Sequence, residues 1–271
     1  MTACRIIYGT AWKKDRTAAL VVSAVLNGFR AIDTGKEQLV GDALHILQTE
    51  HGVKREDLFI QTKFTSMSGQ DESKPLPYDP SSRLETQIHD SFKNSLKNLR
   101  TDYVDSYILH SPLESLSRTV VAWKALMALQ DAGRVKHIGI SNAYSVDILE
   151  ALEEQGGRRV QVVQNRWFEG NNWDAKVWAY CKQHGIQYQS FWTLTGSPSL
   201  LKHSTLLAFA HAKGCTPAQA VYRLAQLNGV TPLSGTTNES HMQADVKVES
   251  LVVDEGDQQK LGLVISWMGL V

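Results

Sequence analysis

Three residues of unlike chemistry each close a short apolar run in this chain: Asp33 ends F-R-A-I-D, Lys63 ends F-I-Q-T-K, and His110 ends Y-I-L-H. Gathered at one place, a carboxylate, an ammonium and an imidazole make a proton-transfer site. The imidazole titrates near neutral pH, and the ammonium can stabilise a developing oxyanion. A carboxylate at the end of a buried strand is costly unless paired, and Lys63 is a ready partner. The same residues admit a plainer meaning, in which Asp33 and Lys63 form a structural ion pair and His110 is a hydrogen-bonded strand-end histidine.

The elements that must position them repeat as strand, helix and turn. Apolar runs at 5–10, 29–33, 58–62, 103–109, 135–140, 160–164, 185–189 and 230–233 predict strands. Helical spacing over 15–26, 39–49, 83–99, 116–132, 146–155, 174–184, 204–213, 217–228 and 239–246 fills the intervals. Eight alternations without a linker or an internal repeat predict an α/β chain folded as a (β/α)8 TIM barrel. It reads as a single domain over 1–271, with a C-terminal helix within 254–271 packed outside. No G-x-G-x-x-G follows any predicted strand, which argues against a Rossmann domain. Active sites of such barrels lie at the carboxyl edge, where Asp33, Lys63 and His110 would meet.

The segment 64–80, rich in Gly, Pro and polar residues, is long enough for a lid or binding loop; its Tyr78 either reaches over the site or packs structurally. Phe191, Trp167, Phe168, Trp173 and Trp192 fall near strand ends. If they face inward they line an apolar pocket for a bulky or aromatic substrate; otherwise they are core.

With 42% hydrophobic and 21% charged residues among 271, and a formal net charge of zero, the chain reads as globular. It lacks the basic field that nucleic acid or an anionic membrane would require, which leaves a small molecule as the natural partner. No apolar run reaches the ~20 residues of a membrane span, and M-T-A-C-R lacks the layout of a secretory signal, so a cytoplasmic protein is expected. Cys4, Cys181 and Cys215 are scattered, without metal-ligand spacing, and read as reduced; no metal is expected.

Taken in order, G-F-R-A-I-D-T (28–34), Thr62-Lys63, Leu109-His110-Ser111-Pro112, G-I-S-N (139–142) and V-Q-N (163–165) resemble strand-end motifs of the aldo-keto reductases, and the resemblance covers nearly the whole chain. It implies an NADP(H)-binding barrel that reduces carbonyls with an Asp, Tyr, Lys and His tetrad, three of whose places are Asp33, Lys63 and His110. It assigns Ser141, Asn142 and Gln164 to the nicotinamide carboxamide and Phe191 to stacking on the ring. It places Gly235, Thr236 and His241 at the adenosine phosphate. Many members carry Lys and Arg at the positions of Gly235 and His241, so discrimination for a 2′-phosphate should be weaker here.

The chain departs from the family pattern after Asp33. Where members read D-T-A-x-x-Y-x-N-E-x-x-V-G, this sequence reads D-T-G-K-E-Q-L-V-G over 33–41. The tyrosine that would protonate the carbonyl has no counterpart, and general-acid help is worth roughly 10²–10⁴ in rate. This favours redox-neutral acid/base chemistry on a carbonyl compound (isomerisation, dehydration or cyclisation, as in secondary metabolism), with His110 shuttling protons and Lys63 holding an oxyanion. The alternatives are an NAD(P)H-dependent carbonyl or C=C reductase with a surrogate proton donor, and a non-catalytic binding or regulatory protein.

Overall fold

The structure, a computed structural model, describes residues 6–71 and 73–270. Eight parallel strands close a barrel in chain order: β1 (Ile7–Gly9), β2 (Ala31–Asp33), β3 (Phe59–Phe64), β4 (Val104–Leu109), β5 (Val135–Ser141), β6 (Val162–Arg166), β7 (Gln187–Phe191) and β8 (Val230–Ser234), with β1 pairing to both β2 and β8. Helices α1 (Thr17–Leu26), α2 (Glu37–His51), α3 (Leu84–Leu99), α4 (Leu116–Asp131), α5 (Val146–Glu154) and α6 (Ala175–His184) follow the first six strands. After β7 come α7 (Pro198–Leu201), α8 (Ser204–Lys213) and α9 (Pro217–Leu227), and after β8 come α10 (Glu239–Val246) and α11 (Glu255–Trp267). The TIM barrel expected from the sequence is the fold observed.

Each layer follows from local sequence. β4 is buried at every position, as a parallel strand must be when helices cover one face and the barrel interior the other. In α3, Leu84, Ile88, Phe92 and Leu99 bury one stripe against the barrel while the charged residues stay outside. Helix α9 begins in a capping box between Thr216 and Gln219 with Pro217 in its first turn. Gly41 lets α2 lie directly on α3, because a Cβ there would run into the carbonyl oxygen of Asn98. Helix α11 packs on α8 outside the barrel.

Several boundaries differ from the sequence expectation. β6 runs two residues later than 160–164, since the ladder pairs Gly139 with Val162 and Ser141 with Gln164; this brings Arg166 into the strand. β7 also starts later, because Gly185 ends α6 in a left-handed conformation, φ 66°. Helix α2 starts at Glu37, leaving only residues 34–36 between it and β2. Arg5 at the start of the first expected strand, Cys4, and Val271 at the chain's end lie outside the described residues.

Candidate active site

Period-two alternation along the strands builds the site in layers. Asp33 on β2, Gln61 on β3, Gln164 on β6 and Gln189 on β7 all point into the barrel and meet there. Asp33 Oδ1 accepts from Gln61 Nε2 at 2.8 Å, Lys63 Nζ at 2.5 Å and Gln164 Nε2 at 3.1 Å. Gln189 Oε1 accepts from both glutamine nitrogens, at 2.7 and 3.0 Å. A buried carboxylate is thereby matched by one cation and two amide donors.

Above this layer, Lys63 and His110 open onto one cavity of about 660 Å³, which Asp33, Thr34, Gly35, Glu37 and Asn98 also line. His110 Nδ1 lies 2.9 Å from Thr65 Oγ1, and the His110 carbonyl accepts from Asn142 Nδ2 at 2.9 Å. Burial against the cavity wall, and then the Lys63 ammonium, lower the His110 pKa below the ordinary histidine value, with Asp33 opposing.

The short 34–36 connection is anchored to β1: the Gly35 amide donates to Thr10 Oγ1 at 2.7 Å, and Thr10 donates to the Asp33 carbonyl. With no longer loop in the way, the first turn of α2 borders the cavity. Glu37 there accepts from Thr62 Oγ1 at 2.5 Å and from Asn98 Nδ2 at 3.4 Å. Among the described residues no tyrosine hydroxyl is hydrogen-bonded to Lys63 or His110. Tyr78 does not reach over the site: it packs on Phe64 and donates to the Thr65 carbonyl at 2.9 Å.

The residues expected at the nicotinamide end come together at the ends of β5, β6 and β7. Ser141 Oγ donates to the Gln164 carbonyl, and Asn142 follows it in a left-handed conformation, φ 54°, that asparagine tolerates. Gln164 lies deeper than its expected role suggests, since its amide nitrogen is committed to Asp33 and Gln189. Phe191 stands at the mouth beside Arg166.

At the other end, after β8, stand Gly235, Thr236 and His241. The Thr236 amide donates to Ser234 Oγ and its hydroxyl accepts from the Asn238 amide, so these groups brace the loop. Gly235 faces open space, and the exposed His241 donates its backbone N–H to Asn238 Oδ1, which caps α10. The aromatic residues divide between core and mouth. Trp167 and Trp173 are buried, Trp173 against Trp267, and none of the five aromatics lines the 660 Å³ cavity, whose walls are polar and apolar in about equal measure.

The sequence reading passed over Gln61 and Gln189, although each sits two residues before a singled-out residue and so shares its face. It also passed over Lys13, for which local pattern gives no signal. Its ammonium crosses to the β8 loop, donating to the Gly235 carbonyl at 2.7 Å and toward that of Thr236 at 3.4 Å. Burial, with the nearby Arg16 charge, lowers its pKa from 10.5 to about 8.

The aldo/keto reductase family model matches residues 5–262, and the chain belongs to that family. It is an enzyme of the family's barrel fold, and two curated relatives set its neighbourhood. It is 29% identical over 245 residues to the uncharacterized oxidoreductase YtbE of Bacillus subtilis, covering 89% of this chain and 81% of that protein. It is 28% identical over 254 residues to the methylglyoxal reductase DkgB of Escherichia coli, covering 92% and 88%. Among solved structures, a mutant of Gox0644 in complex with NADPH superposes with a TM-score of 0.76 at 26% identity, covering 96% of this chain and 88% of that one.

Proposed function

We propose that the protein is an NADP(H)-dependent reductase of a small carbonyl compound, working in the cytoplasm, in which Lys63 and His110 replace a phenolic acid. The observation that carries this reading is the meeting of the Asp33 and Lys63 pair, the His110 ring and the Asn142 amide at one mouth. The oxidoreductase relatives support it. NADP(H) fits the residues present: Lys13 brings a cation with carbonyl partners to a loop where Gly235 leaves open space, and an anion there would relieve an ammonium whose pKa burial has lowered. Lys13, Gly235, Thr236 and His241 would hold the phosphate end, and Ser141, Asn142, Gln164 and Phe191 the nicotinamide end. When bound, the cofactor supplies hydride.

The chain's own residues do the rest. Asp33 holds Lys63 in place, and the ammonium stabilises negative charge on the substrate oxygen. His110, with Nδ1 engaged by Thr65, delivers a proton to that oxygen from its other nitrogen. Disappearance of NADPH absorbance during turnover, with deuterium from labelled cofactor appearing in the product, tests the reading. Product without label defeats it.

A second reading is favoured because, among the described residues, no tyrosine hydroxyl is hydrogen-bonded to Lys63 or His110, and because burial and the Lys63 ammonium lower the His110 pKa. A neutral imidazole beside a fixed ammonium is the pairing needed to abstract a proton α to a carbonyl, so redox-neutral isomerisation, dehydration or cyclisation fits the same atoms. Turnover that persists after all nicotinamide has been stripped from the protein would select it.

A further inference from the structure

A second cation stands at the barrel mouth that none of these roles uses. Arg166 is the last residue of β6, two positions beyond Gln164, so it shares Gln164's inward face one layer nearer the opening. Its register partner on β7 is Phe191, and its guanidinium carbon lies 5.2 Å from the Phe191 ring centroid and 4.7 Å from that of Trp192. Its Nη1 makes two long contacts to neutral acceptors, 3.3 Å to Asn142 Oδ1 and 3.4 Å to the Tyr144 hydroxyl. Among the described residues no carboxylate lies within ion-pair distance of it.

The lysines lining the 660 Å³ cavity are paired, Lys63 with Asp33, Lys36 with Asp15 and Lys74 with Asp71, and Lys13 is bonded to the carbonyls of the β8 loop. Arg166 is therefore an uncompensated charge. Two aromatic rings flank it, and most of its five N–H donors are left for something else. Trp192 is 51% exposed, rests edge-on against Phe168, and holds a left-handed backbone, φ 63°, which is strained for a bulky side chain.

We propose that Arg166 is the receptor for a carboxylate on the substrate, whose flat apolar body lies along Trp192. Joined to the functional reading above, on which the carbonyl half of the statement rests, the substrate class is a carbonyl compound bearing an anionic group. The anion site itself is independent of that reading.

Trp192 provides the readout. Benzoate and its neutral counterpart benzamide are titrated against the protein while tryptophan fluorescence is followed, with Trp192→Phe as the check that the signal comes from this site. Benzoate should bind about tenfold or more tighter than benzamide, from charge-assisted bonding to the guanidinium. The preference should vanish in Arg166→Gln and shrink in Arg166→Lys, and 2′,5′-ADP, a probe for the cofactor's phosphate end, should leave benzoate affinity unchanged. Equal affinities in the native protein, a full preference in either variant, or displacement of benzoate by 2′,5′-ADP would each overturn the proposal. A benzoate preference that depends on Arg166 in a protein that oxidises no NADPH would uphold the anion site while the reductase reading failed.

Discussion

Replacing Asp33 with leucine removes the acceptor shared by Lys63, Gln61 and Gln164. The Asp33 and Lys63 side chains are only 9% and 11% exposed, so little solvent screening softens the loss. Breaking a buried pair from one side costs roughly 3–5 kcal/mol, because the remaining ammonium is stranded. The two glutamine nitrogens keep Gln189 Oε1 but each loses one bond, adding about 1 kcal/mol in all. A total of about 4–6 kcal/mol corresponds to a fall in Tm of roughly 10–20 °C in a chain of this size. Urea and thermal denaturation of Asp33→Leu, Lys63→Met and the double variant measure it. The double variant carries no stranded charge, so its loss should be well below the sum of the two single losses. Single variants within about 1 kcal/mol of the native protein, or strictly additive losses, would refute the idea that this layer is held by the ion pair.

Three further expectations follow from the same geometry. In carbonyl reduction His110 acts as its protonated form, so kcat/KM should rise as pH falls toward a value below 6.5; His110→Gln should lower the rate and erase that limb. Lys13→Met should weaken binding of 2′,5′-ADP about tenfold by fluorescence titration, and the native affinity should decline as pH rises past about 8, where the ammonium is lost. Asp245, buried and receiving the Ser234 hydroxyl at 2.6 Å, has its pKa raised by burial from 3.8 to about 6. Its folded carboxyl therefore binds the proton more tightly than the unfolded one. The resulting stability is full below pH 3.8 and lost as pH rises through about 6, by an amount on the order of 3 kcal/mol. Asp245→Asn should flatten that segment of the stability profile in denaturant titrations.

Much of this site was legible one strand at a time. An apolar run ending in Asp33, Lys63 or His110 announces both a buried strand and a polar group at its carboxyl edge, and eight such alternations leave few alternatives to a closed barrel. The shortness of the 34–36 connection was equally plain, since it is a matter of counting residues. Strand ends were harder: where β6 and β7 stop depends on register with the neighbouring strand, and a shift of two residues decided whether Arg166 and Phe191 stand inside the mouth.

Tertiary structure alone decided which groups touch. Gln61 and Gln164 come from β3 and β6, and only barrel closure brings their amides onto the single carboxylate of Asp33, with Gln189 of β7 accepting from both. Lys13 meets the Gly235 carbonyl across 222 positions of sequence, and Tyr78 turns to the Thr65 backbone instead of toward Lys63. Local propensity sets the period and polarity of each element. The direction and partner of a side chain at the barrel mouth depend on register, closure and loop length acting together, and no single segment of the chain contains all three.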